Sequence, residues 1–232
     1  MRYFISDVHG EYELFKCLLE KIGFSENDEM YICGDIIEKG SESVKLARYI
    51  STFSNMHCII GNHELSFLKY YRTVMENSPR DFDAVLRVFQ MFFPEGEDAL
   101  DWELVDWLDA LPSYIEEKDF ICVHAGLKID KEGNILPLSS LSDEELTCDR
   151  RFKDEDMVHS SPKCVFFGHT PTYYVCGENK ILTYKRDGGK EAKGIEDLYK
   201  IHLDTGAFKT GVLGCFCADT LESIYVIKRK GR

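Results

Sequence analysis

Met30-Tyr31-Ile32-Cys33-Gly34-Asp35-Ile36-Ile37-Glu38-Lys39-Gly40 is the stretch whose reading decides the fold. Four apolar residues lead into Gly34-Asp35, so a buried strand hands a carboxylate to a loop framed by glycines. The same form recurs on both sides. Tyr3-Phe4-Ile5-Ser6 runs into Asp7-Val8-His9-Gly10, and His57-Cys58-Ile59-Ile60 into Gly61-Asn62-His63-Glu64. Later, Phe120–Val123 runs into His124-Ala125-Gly126, and Cys164–Phe167 into Gly168-His169-Thr170-Pro171. Side chains distant in sequence but stationed at equivalent ends of parallel strands meet in one crevice, where open α/β sheets place their sites.

Between the first runs the periodicity is helical. Residues 11–22 carry Leu14, Leu18, Leu19 and Ile22 as an apolar stripe. Ser41 or Ser43 is expected to cap a second helix running to about Tyr49, and a third spans about Glu64 to Glu76. Three βα units predict a parallel sheet with helices against it. Residues 80–111 add two helices, with Phe93-Pro94-Glu95-Gly96 as the break. The second half is richer in strands. Tyr173–Cys176, residues 180–184 and 199–203, and the pair 211–217 and 223–228 predict a mostly antiparallel second sheet. Residues 186–194 have turn residues and charge without apolar period and read as a hairpin tip. No repeat or linker interrupts the chain, so residues 1–232 are expected to form a single domain.

The formal net charge of −13 disfavours nucleic acid duplexes and anionic membranes as partners. Much of the acid (Glu95, Glu97, Asp98, Asp101, Glu103, Asp106, Asp109) reads as the solvated face of a helix that buries Leu100, Leu104, Trp107, Leu108 and Leu111. Nine cysteines are an odd number, and Cys33, Cys58, Cys122 and Cys164 lie inside the apolar runs, which points to core thiols in a reducing compartment. No charged segment with a long apolar stretch opens the chain, and no run of about 18 apolar residues occurs. A cytoplasmic location is expected.

The loop residues comprise two aspartates, one asparagine and three histidines, with His63 beside them. That set suits two borderline divalent ions sharing a carboxylate, an arrangement fitted to hydrolysing phosphate esters. Any one motif is weak, since Asp-x-His is common and a lone loop histidine usually packs; the order of all five carries the signal.

These motifs resemble the calcineurin-like metallophosphoesterases. They are most similar to the serine/threonine phosphoprotein phosphatase branch, with its bacterial, lambda-phage and symmetrical diadenosine tetraphosphatase members. The resemblance runs from Phe4 to about Phe208, through Val105-Asp106-Trp107-Leu108-Asp109-Ala110-Leu111-Pro112 and Leu203-Asp204-Thr205-Gly206-Ala207. The fold expected is α/β, two mixed β-sheets packed as a sandwich flanked by helices. The resemblance implies that Asp7, His9 and Asp35 hold one metal ion and Asp35, Asn62, His124 and His169 the other. Mn²⁺ is the foremost candidate for both, with Fe or Zn admitted by the same ligands. It also implies that His63 is the catalytic acid, that Asn62 contacts the substrate phosphate, and that Asp204 supports the site from behind. Water held between two such ions loses a proton near neutral pH and attacks in line, and a histidine titrates in the right range to protonate the leaving oxygen.

Glu38-Lys39 departs from the family's usual Asp-Arg. Glu38 can orient His63 with one extra methylene, whereas Lys39 is a point charge that clamps phosphate less well than a planar guanidinium. Arg150, in preference to Arg151, stands where the family keeps a second phosphate-binding arginine; the alternative for both is a solvated charged loop. His57, His159 and His202 are expected to pack. The reaction expected is hydrolysis of phosphomonoesters, on a phosphorylated protein at serine or threonine or on a small phosphate ester. The alternatives are a symmetrical dinucleoside polyphosphate hydrolase, for which Lys180, Lys185, Arg186, Lys190 and Lys193 offer a basic loop, and a low-activity metal-binding regulatory protein. Oligomeric state is not written in the sequence.

Overall fold

β1 (Arg2–Ile5), β2 (Glu29–Ile32) and β3 (Met56–Cys58) pair in parallel in a computed structural model that describes residues 1–78, 80–93, 101–186 and 191–228. Each is followed by a helix: α1 (Tyr12–Ile22), α2 (Ser43–Ser51) and α3 (Asn62–Asn77), so the three expected βα units are present. The α2 cap differs from expectation. Glu42 holds the cap position without a side-chain bond, and the Ser43 hydroxyl lies 3.4 Å from the Gly40 carbonyl. The chain there is tied instead to the β1 loop, with Gly40 N–H donating to His9 O at 2.9 Å and Glu42 N–H to Gly10 O at 3.2 Å.

α4 (Phe82–Phe92) and α5 (Trp102–Asp109) follow, each capped by an aspartate that accepts from a first-turn N–H, Asp81 from Ala84 and Asp101 from Leu104. α5 buries Leu104, Val105 and Leu108 and leaves Glu103, Asp106 and Asp109 outside, as the amphipathic reading requires. The break at Pro94-Glu95-Gly96 and Leu100 lie outside the described residues.

The remaining strands are β4 (Tyr114–Glu116), β5 (Phe120–Val123), β6 (Cys164–Phe167), β7 (Leu182–Lys185), β8 (Leu198–His202), β9 (Val212–Cys217) and β10 (Glu222–Ile227). They form two five-stranded mixed sheets, β10-β9-β1-β2-β3 and β4-β5-β6-β8-β7. Two expectations are corrected here. The 211–228 hairpin joins the first sheet, β9 antiparallel to β1 with Tyr3 opposite Cys217. The second sheet is not mostly antiparallel, because β5, β6 and β8 run parallel and only the edges β4 and β7 reverse.

Strand alternation sorts the core. Tyr3, Ile5, Met30, Ile32, Cys215 and Cys217 face the helices of the first sheet, while Phe4, Tyr31, Cys33 and Phe216 face the second sheet. There Phe4 stacks on Phe166 at 3.6 Å between ring centroids and meets Phe120 edge-on at 5.0 Å. Ile121, Val123, Val165 and Phe167 fill the outer layer under α6 (Asp143–Cys148) and its flanking loops.

Tyr173–Cys176, expected as a strand, is a short helix, α7. Pro171 supplies the turn, with the Val175 and Cys176 N–H groups donating to Thr172 O, and Gly177 closes it. α8 (Ala207–Thr210) follows Asp204. The antiparallel β7–β8 pair agrees with a hairpin, although its expected tip at 187–190 lies outside the described residues. All nine cysteines are unpaired. Among the described residues no helix is long and apolar enough to cross a membrane.

Candidate metal centre

Past the strand ends, the loops after β1 and β2 stay zipped together. Asp7 N–H donates to Gly34 O (3.1 Å), His9 N–H to Asp35 O (2.9 Å) and Gly10 N–H to Ile36 O (2.8 Å). Asp7, His9 and Asp35 have φ of 53°, 48° and 56°, and Glu38, Lys39 and His169 also lie in the left-handed region. Asp7 and His9 therefore converge through a left-handed turn. Such conformations cost roughly 1–3 kcal/mol each and persist where surrounding bonds over-determine them.

The anchor is Glu64, fully buried at the start of α3. Its carboxylate accepts four backbone N–H groups: Gly61 (2.7 Å), Asp35 (2.9 Å), Ile36 (2.9 Å) and Ile37 (3.0 Å). The β2 loop is thereby tied to the β3 loop. From the second sheet, His169 N–H donates to Asp7 Oδ2 at 2.9 Å. Gly168 permits this approach, since a Cβ there would lie 1.9 Å from Ser6 Oγ and 2.2 Å from Asp7 Oδ2.

Asp35 Oδ2 is the hub. It lies 3.4 Å from His124 Nε2, 3.5 Å from His9 Nε2 and 3.7 Å from His63 Nε2. Asn62 Oδ1 lies 2.7 Å from His169 Nδ1 and 3.1 Å from His124 Nε2. Among the described residues two clusters have donor atoms all within 4.8 Å of one another, His9-Asp35-His63 and Asp35-His124-His169, and Asp35 belongs to both. The site thus brings together all six expected ligands; Asp7 sits slightly apart, its Oδ1 3.9 Å from His9 Nε2 and its Oδ2 taken by Ser6 and the His169 amide. His9 Nδ1 pairs with Ile37 O at 3.0 Å and His124 Nδ1 with Cys33 O at 2.7 Å, which leaves both Nε2 atoms facing the hub. Carboxylate, amide and imidazole donors around one shared carboxylate fit a pair of borderline divalent cations.

Burial pushes Asp7 up to about 6, with Asp35 adding to it and His124 opposing. Burial would also raise Asp35, but His124, His9 and His63 around it hold it well below the usual carboxylate range. Burial opposes a charge on His124, yet Asp35 and then Asp7 push it up to about 10. Burial lowers His9 to about 4 and His169 to about 3.

His63 Nδ1 is hydrogen-bonded to the Glu38 carboxylate, so the longer acid reaches the histidine as expected. Burial pulls the His63 pKa down, but Glu38 and Asp35 together outweigh it and the net shift is upward. Lys39 turns inward, its Nζ 2.8 Å from His9 Nε2.

A cleft of about 440 Å³ opens beside the hub, lined by Asp7, His9, Lys39, Arg150, His169 and Asp204 together with Tyr174, Phe208 and Lys209. Arg151 is exposed and does not line it. Asp204 is buried behind the cleft, accepts Gly206 N–H at 2.8 Å, and is pushed well up by burial and by Asp7. Tyr174 and Phe208 are 59% and 46% exposed, and Lys209 Nζ lies over the Tyr174 ring, 4.9 Å from its centroid. The sequence reading missed these three residues, because a strand over Tyr173–Cys176 leaves no reason to aim Tyr174 at the site. It also gave Glu64 no role, though an acid three residues after a helix cap is a recognisable signal. The basic loop is elsewhere: Lys185 and Lys193 line a separate groove with Leu198 and Phe216, and Lys180 pairs with Glu178 at 2.8 Å. Lys190 lies outside the described residues. His57 stacks on Tyr31, His159 pairs with Tyr199 O at 2.6 Å, and His202 stacks on Phe167, all in packing positions.

Comparison with known proteins agrees with this geometry. The chain is 29% identical over 147 residues to a symmetrical bis(5'-nucleosyl)-tetraphosphatase of Buchnera aphidicola subsp. Acyrthosiphon pisum (strain 5A), covering 62% of this chain and 50% of that one. It is 36% identical over 129 residues to the enzyme of the same name from Buchnera aphidicola subsp. Schizaphis graminum, covering 54% and 44%. The chain thus spans about half the length of the curated relatives it matches. Among solved structures, a putative diadenosine tetraphosphatase superposes with a TM-score of 0.70 at 18% identity over 99% of this chain and 94% of that one. A serine/threonine phosphatase of Saccharomyces cerevisiae gives 0.55 at 13% identity over 100% and 81%, a likeness of fold alone. The sequence pattern described as calcineurin-like phosphoesterase matches residues 3–203, and the chain belongs to that family of metallophosphoesterases.

Proposed function

We propose that the protein is a two-metal phosphohydrolase whose substrate is a dinucleoside polyphosphate. The observation that carries the substrate class is the composition of the cleft, whose lining combines metal-type ligands, Lys39 and Arg150 with the exposed Tyr174 and Phe208 rings and Lys209. Nucleobases stack on such rings for about 1–3 kcal/mol each, and cations beside them suit a phosphate chain. The names of the curated relatives agree with that reading.

Asp7, His9 and Asp35 would hold one ion and Asp35, Asn62, His124 and His169 the other, Mn²⁺ foremost. When bound, such ions polarise phosphoryl oxygens and acidify water near neutral pH. The chain's own residues do the rest. Asn62, Lys39 and Arg150 receive the non-bridging oxygens. His63 delivers a proton from Nε2 to the departing oxygen, while Glu38 holds Nδ1–H and so fixes ring and tautomer. The Glu38 hydrogen bond favours the protonated form of His63, the form in which it can act as an acid. Because Lys39 enters the cleft and Glu38 reaches His63, the Glu-Lys departure keeps both functional positions filled, which argues against a merely regulatory protein.

The second reading is phosphomonoester hydrolysis on phosphoserine or phosphothreonine. It is favoured by the position of Lys185 and Lys193, away from the cleft they would need to line for a long phosphate chain. Side-by-side turnover of a dinucleoside tetraphosphate, a phosphopeptide and an aryl phosphate decides between them. The proposal requires the dinucleotide to have the highest kcat/KM, and Tyr174→Ala with Phe208→Ala to raise KM for it but not for the aryl phosphate. A preference for the phosphopeptide, unaffected by those changes, refutes it.

A further inference from the structure

Lys200 on β8 is fully buried, a rare state for lysine, and burying an ammonium costs several kcal/mol unless its donors are satisfied. Here they are. Nζ donates to the carbonyls of Phe152 (2.9 Å), Asp154 (2.6 Å) and Met157 (3.1 Å), and lies over the rings of Tyr184 (4.7 Å), Phe152 (5.2 Å) and Tyr199 (5.6 Å). All three acceptors belong to one segment, 152–157, which begins two residues after Arg150. The acidic side chains of that segment, Asp154, Glu155 and Asp156, are exposed, so the ammonium grips backbone and not carboxylates.

Phe152 carries the grip onward. Its side chain is fully buried, with the ring centroid 5.0 Å from that of Phe167, two residues before His169. On the other side it meets Gly126, two residues after His124, where a Cβ would fall 2.1 Å from Phe152 Cβ. The segment is thus clamped by Lys200 and wedged, through Phe152, between the end of β6 that leads to His169 and the loop that carries His124.

We propose that Lys200 is a positioning residue: its ammonium, by holding the 152–157 backbone against β8, sets where Arg150 stands over the cleft. A neutral residue cannot do this, since three carbonyls converging on one point repel each other without a cation or multiple donor between them. The inference rests on the reading that Arg150 receives substrate phosphate.

The test compares Lys200→Met, Lys200→Arg, Arg150→Ala and the Lys200→Met/Arg150→Ala double variant, all manganese-loaded. Binding of inorganic phosphate is followed by calorimetry, and KM and kcat are measured on the dinucleoside tetraphosphate. Loss of a charge-assisted contact to phosphate corresponds to a factor of roughly 10–100. Lys200→Met should weaken phosphate binding and raise KM by about the factor seen for Arg150→Ala, with kcat falling less. The double variant should be no worse than Arg150→Ala alone, and Lys200→Arg, which keeps several donors, should recover most of the loss. A Lys200→Met protein that melts earlier yet binds phosphate as the wild type does would overturn the inference and leave Arg150's role intact. An Arg150→Ala variant with normal phosphate binding would overturn both. Should Lys200→Met fail to fold, Phe152→Leu shrinks the wedge with the ammonium in place; a raised KM that Arg150→Ala does not worsen supports the clamp, and an unchanged KM refutes it.

Discussion

Replacing Glu64 by Gln tests what holds the left-handed loops of the metal centre in place. The carboxylate accepts four backbone N–H groups, two on each oxygen, Gly61 and Asp35 on Oε2 and Ile36 and Ile37 on Oε1. Gln keeps one acceptor oxygen and turns an NH₂ toward the other pair, so two charge-assisted hydrogen bonds are lost. At about 1.5–3 kcal/mol each, the gross loss is about 3–6 kcal/mol. Part returns, because burial and the nearby charge of Asp35 already disfavour the carboxylate and raise its pKa. A net loss of about 3 kcal/mol is expected, which for a chain of this size lowers the melting temperature by about 6–12 °C. Urea unfolding in the presence of a chelator measures the loss without metal linkage, and calorimetric Mn²⁺ titration reports the centre itself. Both sites should bind more weakly, since Asp35 is common to both clusters and its own N–H is among the four that the carboxylate holds. A stability change under about 0.5 kcal/mol, within the range of ordinary surface substitutions, together with unchanged Mn²⁺ binding, would refute the anchoring role.

Asp35→Asn should remove most bound metal and nearly all turnover, because both donor clusters use this carboxylate; elemental analysis finding two ions in an active variant contradicts the bridge. His63→Asn should retain the metals and slow poor leaving groups about 10²–10⁴-fold while sparing an aryl phosphate; equal losses on both substrates remove His63 from the acid role. Lys39→Ala should raise KM about tenfold or more if the inward ammonium meets phosphate, and unchanged kinetics would place it elsewhere in the working enzyme. Burial lowers His159 to about 4 and His202 to about 3, so near and below the ordinary histidine pKa of about 6.5 the unfolded chain binds more protons than the native one. Stability from these two is present above about pH 6.5 and is lost as pH falls toward 4, at up to roughly 1.4 kcal/mol per pH unit for each. Urea midpoints from pH 7 to 5 should show it, and His159→Gln should reduce the slope by about one proton; an unchanged slope would mean His159 is not held neutral.

The sequence by itself determined the strands that lead to the site and the metal-ligand-type residues that they bring together. An apolar run closed by glycine and a polar residue is a local signal, readable without knowing what the run pairs with, and all five such segments end at one hub. Helical periods in α1, α3 and α5 were legible for the same reason. The tertiary structure decided the rest, because those features depend on partners distant in the chain. The 211–228 hairpin pairs with β1, so that Cys215 and Cys217 enter the helix-side core while Phe216 faces the second sheet, a choice that alternation alone leaves open. Tyr173–Cys176 has strand composition, yet it lies between Pro171 and Gly177 and becomes a helix that turns Tyr174 into the cleft. Lys39 and Arg150 reach the site through loop conformations that no spacing encodes, and Glu64 and Lys200 are charged residues whose burial is intelligible only once their backbone partners surround them. Local pattern specifies which chemistry the loops carry; long-range pairing specifies where each group stands, since burial and hydrogen-bond partners are properties of the assembled sheets.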